Sequence, residues 1–173
     1  MTGKLVSPWR LHIELLDVRP SVWRRLLVPA GITLPPLHRV FQVVLGWSNS
    51  HLHEFIINGE RYADPDLEWK DELQQRDERR VRLEAALGGE SRTFEYVYDF
   101  GDDWRHAVVV EDRYLQPRAP FAPFCLAGEN ACPPEDIGGP PGYVQFLAEG
   151  VGGLDPTRFD LGAVNRALAR VMV

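Results

Sequence analysis

The chain has 173 residues, enough for one domain with a real core, and its 45% apolar and 25% charged residues are an ordinary globular balance. Its net charge of −6 does not support a broad phosphate-tracking surface, so nucleic acid is not an expected partner. No apolar run approaches a membrane span, the start MTGKLVSPWRLH has no signal-peptide pattern, and two cysteines are too few for a disulfide scaffold, so a cytoplasmic setting is expected.

Trp9 to Val18 and Val22 to Val28 read as strands joined by the short connection Arg19-Pro20-Ser21. Thr33 then opens a helix that tolerates Pro35 and Pro36 in its first turn. Leu37, Val40, Phe41 and Val44 give its apolar stripe, and Gly46 its stop. His53 to Ile57 is a strand closed by Asn58-Gly59. Residues 64–80 are polar and charged, which predicts a flexible surface loop with at most one helical turn. Arg76, Arg79, Arg80 and Arg82 are interleaved there with Asp77, Glu78 and Glu84, the pattern of a solvated charged face. Order resumes over Val81 to Leu87 and breaks at Gly88-Gly89. Two strands follow, Thr93 to Phe100 and Trp104 to Tyr114. Residues 117–141 predict a long Pro/Gly-rich loop, followed by helices over Gly142 to Glu149 and Asp160 to Val171. The order predicts a single α+β domain over 1–173, with an antiparallel or mixed sheet built from hairpins and helices packed mainly on one face.

The stretch Tyr98 to His106 (YDFGDDWRH) packs three aspartates, a histidine and three aromatics around one glycine. A three-residue loop, Gly101-Asp102-Asp103, sets Phe100 opposite Trp104, Tyr98 opposite His106 and Asp99 opposite Arg105. A two-residue loop would mix charged and aromatic residues on one face, so the longer loop is preferred. Asp103 then takes the left-handed conformation that Asp tolerates, His106 is half-buried, and Asp99 turns away from the aromatic face. Asp102 and Asp103 are left at the tip, where turn chemistry is the ordinary role and a metal the sharper one.

Three further groups carry possible chemistry. His51 and His53, two apart, would present two imidazoles on one side of a strand to a metal whose third ligand has to come from elsewhere; the plainer reading is that His51 ends the preceding loop and His53 is a packed, hydrogen-bonded strand residue. Cys125 and Cys132 are spaced too widely for a zinc knuckle and read as structural thiols. In CPPEDIGG, Glu135 and Asp136 lie between two prolines and two glycines just ahead of Tyr143. They either neutralise a helix start or line a pocket with Asp102, Asp103 and the imidazoles.

Together, WRRLLVP, LHRVFQVVLGWSNSHLHEF, YVYDFGDDWRH and ACPPEDIGGPPGY resemble the Ri-plasmid ORF-3-like family, from about Trp9 to Leu168 and in the same order. The resemblance implies a bacterial protein carried on plasmids or mobile elements, often labelled a transposon resolvase-like passenger protein, and implies no defined activity. Relatives often carry a cysteine where this chain has Ile137, so a cysteine-based metal site is not implied here. A serine resolvase also needs a nucleophilic serine and an arginine cluster on a parallel α/β core, which this hairpin-rich pattern does not show.

No phosphate-binding loop, nucleophile elbow or Cys–His protease signature is present. The preferred reading is therefore a non-enzymatic binding or interaction module with an unidentified protein or small ligand as partner. Its binding surface is expected at Asp102, Asp103, Trp104, His106, Glu135, Asp136 and Tyr143. The alternative is a metal-dependent hydrolase or nuclease with a divalent metal as cofactor and ligands from His51, His53, Asp102, His106 and Glu135.

Overall fold

The computed structural model describes residues 5–66, 74–113, 115–119, 121–150 and 153–173. Alternating apolar residues along Pro8–Leu15 (β1) and Val22–Pro29 (β2) set Leu11, Ile13, Leu15, Val22, Leu26 and Val28 inside, and the two strands pair antiparallel with Leu15 opposite Val22. Leu34–Leu45 (α1) follows, with Pro35 and Pro36 in its first turn and Gly46 stopping it in the left-handed conformation at φ 82°. Thr33 occupies the N-cap position in extended backbone, but its side chain makes no capping hydrogen bond. His53–Ile57 (β3) and Glu60–Ala63 (β4) form a hairpin through Asn58-Gly59, both at positive φ.

Gln75–Asp77 (β5) pairs parallel with β4, so the 64–80 segment is not all loop, and Glu78 beside β5 is buried. Residues 67–73, the middle of that predicted loop, lie outside the described residues. Leu83–Leu87 (α2) precedes Thr93–Tyr98 (β6) and Trp104–Asp112 (β7). Tyr114, the expected end of β7, also lies outside the described residues. The 117–141 stretch is likewise not one irregular loop, because Phe124–Glu129 (β8) pairs antiparallel with β2. Gly139–Glu149 (α3) and Leu161–Leu168 (α4) complete the chain.

The result is a single-domain α+β fold around one mixed, open sheet in the order β5-β4-β3-β6-β7-β1-β2-β8. Phe41 of α1 packs its ring on Phe55 and Tyr96, in a core that runs from Trp9 to Leu168. At the β8 edge, the Cys125 amide donates to Asn165 Oδ1 of α4, and Asn165 Nδ2 donates back to the Cys125 carbonyl.

The β6–β7 register differs from expectation by two residues: Tyr98 faces Trp104, Tyr96 faces His106 and Phe94 faces Val108. The strand stops at Tyr98 because Asp99 takes a left-handed φ of 59° and its carbonyl accepts from the Asp103 amide, closing a connection over residues 99–103. A two-residue shift keeps every side chain on its face, so the aromatic face survives. Phe100 leaves the strand, however, and Arg105 faces Val97 rather than Asp99.

Candidate functional site

Three loops converge beyond the end of β6: the Trp47 to Leu52 segment after α1, the Asp99 to Asp103 turn, and the Cys132 to Gly138 loop before α3. Trp47 starts the convergence, stacking on Tyr98 at 5.0 Å between centroids and donating from Nε1 to the Pro133 carbonyl at 3.0 Å. Asn49, Asp99, Asp103 and Asp136 all take positive φ here, and Asn and Asp are the non-glycine residues that best tolerate it.

The acidic loops do meet. Asp102 Oδ2 accepts from the Ile137 and Gly138 amides at 3.1 and 3.2 Å, placing a carboxylate just ahead of the α3 N-terminus. The charge at this helix start thus comes from Asp102 of the distant turn, not from Glu135 or Asp136. The contact needs Gly139, since a Cβ there would lie 2.3 Å from the Asp102 carbonyl oxygen. Glu135 turns the other way. Its carboxylate accepts from Ser48 Oγ at 2.6 Å, Ser50 Oγ at 3.2 Å and Tyr98 Oη at 2.5 Å. Burial pushes the Glu135 carboxyl up, but these hydrogen bonds outweigh it and hold the group below its ordinary range. Burial, reinforced by Glu135, raises the Tyr98 phenol to about 12, so it stays a donor.

The two candidate histidines part company. His53 is buried, with Nε2 at 3.0 and 3.2 Å from the two oxygens of buried Glu78 and its ring flat on His38 at 3.5 Å. His38 continues inward, with Nδ1 2.7 Å from Tyr96 Oη and Nε2 2.6 Å from Asn49 Oδ1. Gln42 Nε2 also donates to Tyr96 Oη at 3.0 Å. Asn49 Oδ1 can only accept, so His38 donates from Nε2 and accepts the Tyr96 proton at Nδ1. Burial, with His53 alongside, lowers His38 to about 3, so this imidazole is neutral. His51 lies at the loop junction instead, half-buried, its Nε2 3.0 Å from Asp136 Oδ1 and 3.6 Å from Asp99 Oδ2. A cleft of about 240 Å³ has His38, His51, His53 and Glu78 in its wall.

Among the expected surface residues, Trp104, His106 and Tyr143 are buried in the core. His106 is fully rather than half buried. It stands opposite Tyr96, its Nδ1 is 3.0 Å from the Tyr96 carbonyl, and burial lowers it to about 4. Asp103 and Asp136 are exposed, and Asp102 and Glu135 lie between core and solvent. Of the metal candidates, the fold brings neither His53 nor His106 to the junction, and it adds Asp99, which the assumed register had turned away. Both cysteines are free thiols, and burial pushes Cys125 to about 11 and Cys132 to about 12.

Residues 8–157 match the family model described as plasmid pRiA4b ORF-3-like protein. An uncharacterized protein, y4hQ, of Sinorhizobium fredii (strain NBRC 101917 / NGR234) is 43% identical over 143 residues, spanning 82% of this chain and 72% of that protein. The crystal structure of MM3350 from Methanosarcina mazei Go1, titled a protein of unknown function, superposes with a TM-score of 0.79 at 28% identity. It covers 91% of this chain and 97% of its own.

Proposed function

The chain belongs to the plasmid pRiA4b ORF-3-like protein family, and from that footing we propose that it is a non-enzymatic binding module whose working surface is the three-loop junction. The observation that carries this reading is how the junction's polar groups are spent. Asp102 and Glu135 are engaged in locking the loops to one another, while Asp103 and Asp136 are held outward on the resulting frame. Such a frame presents groups without rearrangement, which lowers the entropic cost of binding. Trp104, His106 and Tyr143 form the buried backing of this surface. A protein or small ligand with a complementary cationic or hydrogen-donating group is the partner it suits, and its acidity argues against nucleic acid.

The same reading takes the helices to lie mainly on the core face of the sheet. In support, the opposite face carries the Arg10–Glu111–Arg25 and Arg61–Glu54–Gln75 groups on polar side chains. A cytoplasmic, mobile-element-borne protein is consistent with two free thiols and with the family's plasmid name. Among the described residues, no helix is long and apolar enough to cross a membrane. The alternative, a metal-dependent hydrolase or nuclease, is weakened because His53 is engaged by Glu78 and His106 lies in the core.

A photo-crosslinking residue placed at Asp103, compared with one at Glu95 on β6, tests the proposal in cells. Adducts of any mass formed from position 103 and not from position 95 are expected. Equal labelling from both, or none, overturns it. So does hydrolysis of a chromogenic phosphodiester that is lost in His51→Ala.

A further inference from the structure

His51, Asp99 and Asp136 each offer one ligand atom, and these atoms lie within 4.8 Å of one another. Two of them are left without hydrogen bonds inside the protein. His51 Nε2 is sealed from solvent and has no hydrogen-bond partner, because Asp136 Oδ1 at 3.0 Å lies off the line its N–H would need. The Asp99 side chain is only 10% exposed. Its Oδ1 accepts from the Gly101 and Asp102 amides at 3.0 and 3.3 Å, whereas its Oδ2 points at His51 from 3.6 Å. A buried ring nitrogen and the free oxygen of a largely buried carboxylate thus face one another, and a buried polar atom that finds no partner in the protein needs one from outside it, water or an ion.

We propose that His51 Nε2, Asp99 Oδ2 and Asp136 Oδ1 form a site for a divalent transition-metal ion, with the solvent side of Asp136 leaving a coordination position open. The proposal rests on the junction being the working surface, and it gives that surface its chemistry: an open position on the ion takes a neutral oxygen of the partner, such as a hydroxyl that also donates to the carboxylates beside it. Ligands about 2.0–2.2 Å from a tetrahedral centre stand roughly 3.3–3.6 Å apart. The His51 distances of 3.0 and 3.6 Å bracket that spacing, and the exposed Asp136 side chain is free to adjust the third edge. One imidazole among two carboxylates favours Zn²⁺ or Mn²⁺ over Mg²⁺ and Ca²⁺, which take all-oxygen shells.

The test uses protein purified without a histidine tag and stripped with a chelator, melted with Zn²⁺, Mn²⁺ or Mg²⁺ and titrated calorimetrically with Zn²⁺. Tm should rise with Zn²⁺ or Mn²⁺ concentration and stay fixed with Mg²⁺. Asp99→Asn keeps the Oδ1 acceptor of its turn and changes only Oδ2, while Asp136 is exposed, so Asp136→Asn folds in any case. Each should weaken Zn²⁺ binding by at least the roughly 10–100-fold that losing an outer partner of a metal ligand costs. Cys132→Ser should leave it intact. No Tm rise with Zn²⁺ or Mn²⁺, an equal rise with Mg²⁺, or undiminished binding in Asp136→Asn overturns the site. The crosslinking test at position 103 needs no metal, so the module reading stands or falls separately.

Discussion

The imidazoles at positions 51 and 53 are two residues apart and face different surroundings. Around His53 the polar groups are consumed from within: Glu78 takes Nε2, the ring lies flat on His38, and His38 hands on to Tyr96, Gln42 and Asn49. Around His51 two carboxylates approach without hydrogen-bonding the ring nitrogen. A buried network satisfied by its own members fixes a fold, whereas ligand-grade groups left open at a loop junction are available to something else. The inner cluster should therefore be sensitive to substitution through stability, and the outer one through binding.

The sharpest way to break this contrast is His53→Ala, which leaves the buried Glu78 carboxylate without its partner. Leaving a buried hydrogen-bonding group without its partner costs about 1–3 kcal/mol, and more for a carboxylate, to be read as a fall in urea midpoint. A loss below about 1 kcal/mol would mean that Glu78 does not depend on His53. Gly139→Ala tests the frame of the outer cluster. A Cβ at φ +67° would press on the Asp102 carbonyl, so a loss of about 1–3 kcal/mol or more is expected, with Tyr98 and Trp47 fluorescence reporting the shifted junction. Tyr96→Phe strips His38 Nδ1 and Gln42 Nε2 of their shared hydroxyl and should cost about 1–3 kcal/mol; a neutral result would place water there instead.

Acid should weaken the protein from the inside first. The folded chain holds His38 at about 3 and His106 at about 4, against about 6.5 in the unfolded chain. Between these values the unfolded state binds more protons, so this stability is complete above pH about 6.5 and drains away as pH falls through about 4. His106→Asn removes one such group and should give a shallower decline over that window in urea melts. An unchanged slope would show that carboxylates alone drive the loss. The smallest effect belongs to the outer cluster. Asp136→Asn should stay within about 0.5 kcal/mol of the parent without metal, and a larger loss would make the exposed aspartate structural.

Much of this was legible in the sequence, and the misses have physical causes. Alternation along β1, β2, β6 and β7 predicts their faces, because one buried side fixes parity, and a two-residue slip leaves parity untouched. The slip itself followed from Asp99, whose left-handed backbone ends β6 early and is one of several conformations Asp can take. β5 and β8 were hidden by charge and by flanking prolines, since edge strands need little apolar pattern to pair on one side. Of the candidate site, the meeting of the two acidic loops was one of two arrangements the sequence left open for Glu135 and Asp136. The pairing of Asp99 with His51 was not legible, because it depends on where β6 stops. That His53 is the packed histidine and His51 the loop one was legible from where the strand begins; its partner Glu78 was not, since it looked like part of a solvated charged face.

The reciprocal hydrogen bonds between Asn165 and Cys125 have a consequence beyond α4. An open sheet ends in strands whose outward amides and carbonyls invite another chain to continue it. By occupying both backbone groups of Cys125, one amide side chain plays the part of a ninth strand one residue long. It thereby blunts the β8 edge at that residue, where another copy of the chain would otherwise find an amide and a carbonyl to pair with.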